Sequence, residues 1–241
     1  MKKVLSIIAL SLLLAYIGVA MVAFCPQPEA LVCDGIELRS RNKARSQFES
    51  QEEIMNILRR FKLDPVGKTM NEISCSAIED SLRTLALVLD CECYKSVGTR
   101  LCINVTCRTP ILRVISSQGY SGYIDREGVL FDRLPKAVYL PVATGNFDQQ
   151  YAENELFELA TFLQKDDFWN AQIEQINVNT DKEIELIPRV GNHVIRFGKV
   201  EHVKYKFAKL EAFYEKGLSR VGWNRYSVID VSYGDQVIGI K

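Results

Sequence analysis

Residues 100–110, RLCINVTCRTP, decide how the chain divides. Ile103 and Val105 alternate with Asn104 and Thr106, the two-residue period of a half-buried strand. Arg108-Thr109-Pro110 ends that strand, because a proline has no N–H to donate within a central ladder. A boundary therefore falls near residue 108, with helices and strands before it and a strand-dominated segment after it.

Upstream, Cys91 to Ser96 reads as a strand that turns at Val97-Gly98 into the next. Ser74 to Leu89 reads as a helix, with Ser74 as N-cap and an apolar stripe of Ile78, Leu82, Leu85 and Leu89. Gln51 to Leu63 is a second helix by the spacing of Ile54, Ile57, Leu58 and Phe61, stopped by Asp64-Pro65-Val66-Gly67. With a strand beginning at Cys33, residues 33–108 make a small βααββ unit. Downstream, residues 109–241 read as a mixed β-sheet domain with flanking helices over Tyr151 to Gln164 and Val203 to Leu218. A meander runs through Ile173 to Asn179, Glu183 to Pro188 and His193 to Phe197, and a hairpin about Gly234-Asp235 closes the domain. The fold class is α+β.

Before all this lies Val4–Cys25, 22 residues without a charge. As a helix it spans roughly 30 Å, the thickness of a bilayer's hydrocarbon core. Lys2 and Lys3 precede it, so the positive-inside bias keeps residues 1–3 in the cytoplasm and exports the rest. Residues 26–32 are a connector. A cleaved signal peptide is the competing reading, with Gly18-Val19-Ala20 as the small-residue site, but the apolar run continues past it through Phe24. Beyond the anchor stand 28 basic and 30 acidic residues, so no basic field draws the chain to nucleic acid. Arg39, Arg41, Lys43 and Arg45 are a local exception, either solvated or facing anionic headgroups.

Catalytic sets are absent from the sequence. It has two histidines, His193 and His202, each at the start of an element and read as surface or capping residues. The paired carboxylates Asp125/Glu127 and Asp166/Asp167 sit beside turns and read as solvated. Cys91, Cys93, Cys102 and Cys107 lack the paired C-x2-C spacing of zinc sites. No metal, cofactor or small-molecule substrate is expected. If any disulfide forms, Cys93–Cys102 is the favoured pair, since a tight turn at Val97-Gly98 sets them opposite each other.

The order of anchor, βααββ unit and strand-rich unit resembles the FtsQ/DivIB family of bacterial cell-division proteins. Cys33-Asp34-Gly35-Ile36 looks like the first strand of a POTRA domain, and Ile78-Glu79 with Leu82 like its second helix. Leu101–Val105 with Arg108-Thr109-Pro110 resembles the family's exit from that domain. Tyr123-Ile124-Asp125 with Gly128 resembles the start of its β domain, Lys206-Phe207 with Leu210 a later helix, and Ile229 to Gly239 the terminal hairpin. Ile187–Gly191 and the short tail resemble Bacteroidota versions. The resemblance implies a non-catalytic scaffold of the divisome, single-pass in the inner membrane at the septum, with periplasmic domains. Its implied partners are the bitopic division proteins FtsB and FtsL. The alternatives are a POTRA-bearing envelope export or assembly factor, or another periplasmic binding module.

The expected docking surface is the terminal strand. Val237, Ile238 and Ile240 are apolar, Gly239 leaves room for another backbone, and Tyr233 offers a ring and a hydroxyl. An uncovered strand there exposes N–H and C=O groups that an extended partner segment can pair with, a β-augmentation involving Tyr233, Gly234, Gln236, Val237, Ile238, Gly239 and Ile240.

Overall fold

The structure is a computed structural model and describes residues 10–20, 31–40, 51–134 and 137–241. Residues 10–20, inside the apolar run, are helical. The rest of Val4–Cys25, and the cluster positions Arg41, Lys43 and Arg45, lie outside the described residues. Among the described residues, no helix is long and apolar enough to cross a membrane. The chain divides into two compact units, residues 1–106 and 107–241.

The first unit carries strand β1 (Gly35–Ser40), helices α1 (Gln51–Arg60) and α2 (Cys75–Arg83), and strands β2 (Val88–Lys95) and β3 (Arg100–Cys107). Its sheet has the order β1-β3-β2, with β1 parallel to β3. Ile54, Met55 and Leu58 from α1 and Ile78 and Leu82 from α2 are buried with Ile36, Leu101, Ile103 and Val105 from the sheet. Both helices are shorter than the apolar spacing suggests. α1 stops because Lys62 takes a left-handed conformation (φ 60°), which lets Leu63 N donate to Leu58 O at 2.8 Å. Phe61 is left exposed. α2 starts as expected, with Ser74 Oγ accepting from Ala77 N at 3.3 Å, but ends at Arg83, so Leu89 falls in β2 and is exposed.

In the second unit nine strands form one sheet, in the order β12-β11-β10-β9-β8-β7-β4-β5-β6. They are β4 (Pro110–Ser116), β5 (Ser121–Asp125), β6 (Leu130–Phe131), β7 (Val142–Gly145), β8 (Ile173–Val178), β9 (Ile184–Pro188), β10 (Val194–Gly198), β11 (Val228–Asp230) and β12 (Ile238–Ile240). β8, β9 and β10 are the expected antiparallel meander. β7 and β8 are parallel, joined by α3 (Phe157–Lys165) and α4 (Asp167–Gln172). β10 and β11 are likewise parallel, joined by α5 (Val203–Phe213). Such crossovers lay their helices over the sheet. Phe162 stacks on Phe207 at 4.6 Å, and Trp169 and Phe197 lie 4.9 and 5.3 Å from that same ring.

Asp125, read as solvated, and His193, read as a surface or capping residue, are in fact internal. Asp125 is fully buried: Oδ2 accepts from Arg108 Nη1 at 2.7 Å, and Oδ1 accepts from Glu127 N and Val129 N at 3.0 and 2.8 Å. One carboxylate thus ties the entry of the unit to the turn between β5 and β6, where Gly128 takes φ +80°. Asp166 accepts from Trp169 N and caps α4, a helix the sequence reading omitted. His193 is also buried, with Nε2 at 2.8 Å from Tyr214 Oη. His202 stays on the surface.

Removing the Asp125 carboxylate leaves Arg108 half-enclosed and two turn N–H groups without their acceptor. Asp125→Ala is expected to destabilise the second unit by about 3 kcal/mol, read as a lowered urea midpoint. Burial holds the His193 pKa below its ordinary value. The unfolded chain therefore takes up a proton near pH 6.5 that the folded chain refuses, so stability is full above that value and falls as pH drops through it. Melting curves between about pH 7 and 5 should show that decline, and His193→Gln should flatten it.

Candidate docking edge

Open sheets end in strands whose outer backbone groups need partners. β2 closes one side of the first sheet. There Glu79 Oε1 accepts from Cys93 N at 2.7 Å and Arg83 Nη2 donates to Cys91 O at 2.6 Å, so two side chains of α2 occupy the strand's outer edge. β6, at one end of the second sheet, is two residues long. Among the described residues β12, at the other end, pairs with β11 alone, through Val228↔Ile240, Ile229↔Gly239 and Asp230↔Ile238.

The side chains on β12 follow the strand's alternation. Ile238 and Ile240 are 38% and 41% exposed. Gly239 faces the other way, and a Cβ built there would come within 2.7 Å of the Tyr226 ring. That ring lies 5.9 Å from Phe213 at the end of α5. The glycine therefore makes room for the protein's own tyrosine, which covers it, rather than for an incoming backbone. Val237 packs partly against the core.

The turn before β12 is longer than the tight hairpin expected about Gly234-Asp235. Strand β11 ends at Asp230, whose Oδ1 accepts from Ser232 N at 2.9 Å and Ser232 Oγ at 2.6 Å, bending the chain away from the ladder. Its Oδ2 accepts from Arg196 Nη1 at 3.3 Å. In the loop, Tyr233 is 56% exposed, and the carbonyls of Tyr233, Gly234 and Gln236 all accept from Lys209 Nζ on α5. The seven candidate residues thus lie on one continuous stretch of loop and edge strand. Sequence reasoning missed Lys209 and Tyr226, the groups that hold that stretch; spaced along a helix or before a strand, they look like ordinary surface residues.

The cysteine pairing does not stand. Cys93 lies on the β2 face turned to α2, where its thiol neighbours that of Cys75. Cys102 points to the opposite face, its thiol 3.7 Å from Glu37 Oε2. Both are free thiols, and opposite faces of a sheet keep them from bonding. Burial pushes the Cys91 pKa up to about 11 and raises that of Cys93, so these thiols are packing groups rather than nucleophiles. Among the described residues, no three His, Cys, Asp or Glu side chains gather as a metal site.

Two family models match the chain. Residues 31–106 match a POTRA-like domain. Residues 109–239 match the model described as FtsQ/DivIB, C-terminal related. The chain belongs to the FtsQ/DivIB family. No curated protein matches the sequence. The FtsQ/DivIB family consists of division-related scaffolds, generally non-enzymatic, that work through protein partners in the division complex at the inner membrane. An export or assembly role draws on the POTRA-like unit alone, whereas the match over more than half of the chain belongs to cell division.

Proposed function

We propose that this chain is a single-pass scaffold of the divisome that captures an extended segment of an FtsB- or FtsL-like bitopic protein by adding it to β12. The observation that carries the reading is the position of β12, an end strand paired on one side only. The contrast with β2 supports it, since that edge of the first sheet is occupied by Glu79 and Arg83. Main-chain pairing supplies affinity in such a complex, and the exposed Ile238, Ile240 and Tyr233 supply side-chain contact.

The anchor belongs to the same proposal. Residues 10–20 are helical, and Leu12, Leu14, Tyr16 and Val19 are each more than half exposed, an apolar surface suited to lipid. With Lys2 and Lys3 ahead of it, the apolar run Val4–Cys25 keeps the N-terminus in the cytoplasm and carries both units into the periplasm.

The docking edge is tested by co-purifying the full chain with the FtsB-like protein of the same cell. Ile238→Pro is expected to abolish co-purification while the far-ultraviolet spectrum and melting point stay near wild type. Should proline unfold the unit, Ile238→Lys, a charge of the kind that blunts natural edges, takes its place. Full binding by a folded variant would refute the edge. The topology is tested by fusing alkaline phosphatase after Lys241: activity is expected, and a silent fusion would reverse the orientation.

A further inference from the structure

The β11–β12 hairpin is too slight to hold itself in place. Three residue pairs join the strands, and residues 231–237 connect them. An isolated two-stranded ribbon is marginal in water even when longer. What fixes this one is α5. Lys209 Nζ reaches into the loop and donates to Val231 O at 3.1 Å, to Tyr233 O, to Gly234 O at 2.7 Å and, at the longest distance of 3.4 Å, to Gln236 O. One turn earlier on the same helix, Tyr205 Oη donates to Asp235 Oδ1 at 3.1 Å.

An ammonium carries three N–H donors and no acceptor, and here four carbonyls from both limbs of the loop converge on it, so that one N–H is shared. Carbonyl dipoles aimed at one point repel one another, so the arrangement holds only around a cation. Lys206, on the same helix, does the equivalent for the end of β10, donating to Phe197 O at 3.0 Å and Lys199 O at 2.7 Å. The sheet's last three strands are thus indexed to α5 by two lysines, and the second governs the strand at the edge.

We infer that Lys209 is a positioning residue for partner docking: by gathering the carbonyls of the 231–236 loop it holds β12 in register as a template for an added strand. The inference rests on the docking role proposed for β12. Lys209 itself touches no partner. It acts through the loop, so its removal loosens the edge while the rest of the sheet stays intact.

The test uses the full chain and two readouts. Hydrogen exchange is followed at the amides of Val237 to Ile240 and, as an internal reference, at Ile176 and Leu186 in the central strands. Co-purification with the FtsB-like protein of the same cell is measured in parallel. Lys209→Met, which keeps the unbranched apolar stem and drops the ammonium, is expected to speed exchange at β12 about tenfold, leave the central amides unchanged and reduce co-purification to a similar degree. Lys204→Met removes the same charge from an exposed site on the same helix and is expected to change neither. Unaltered exchange at β12 in Lys209→Met would overturn the inference. So would exchange that rises equally in the central strands, which would mark a general structural role, or faster exchange at β12 with co-purification intact. If Ile238→Pro binds normally, the docking role itself fails, whatever Lys209 does to exchange.

Discussion

An open sheet must end somewhere, and the backbone groups along each end strand have to find a partner in water, in a side chain or in another chain. That constraint organises both units of this protein. In the first, α2 lies close enough to β2 for Glu79 and Arg83 to take the outer N–H of Cys93 and C=O of Cys91. In the second, the sheet tapers to a two-residue strand at one end and is left with β12 at the other. The helices that supply the core, α3 to α5, do so through parallel crossovers that cover a face and leave the strand ends uncovered. The burial that stabilises the domain and the edge it leaves open are consequences of the same topology.

The motifs that suggested the family turn out to be bonds. Glu79 covers a strand edge, and Arg108 pairs with the buried Asp125 carboxylate at the entry of the second unit. Lys206 gathers the carbonyls at the end of β10, with Phe207 and Leu210 in the core beside it. Each fixes where a strand starts, stops or pairs, which is what a protein that works by presenting a surface requires.

The element order was legible because period and punctuation carry it: alternation marked β3 and the meander, and Pro110 marked the boundary. Element ends were not. Phe61 and Leu89 continue an apolar spacing past the points where Lys62 turns left-handed and α2 gives way to β2, and spacing alone does not see a terminator made of backbone conformation. Burial of polar groups was equally hidden, since Asp125 and His193 owe it to Arg108 and Tyr214, partners 17 and 21 residues away. The cysteine pairing failed on parity, because a tight turn was assumed where the strands set the two thiols on opposite faces. The edge strand itself was legible. The lysine that holds it was not, because a half-buried lysine on a helix carries no sequence signal of what it reaches.

The three-pair junction between β11 and β12 has a mechanical meaning. Any pull on a segment added to β12 passes through that junction before it reaches the nine-stranded sheet. β12 is three residues long, so its pairing inward and any pairing outward are equally slight. A load on an added segment opens at this strand and not in the core, and a tether built this way has its fuse outside the folded mass.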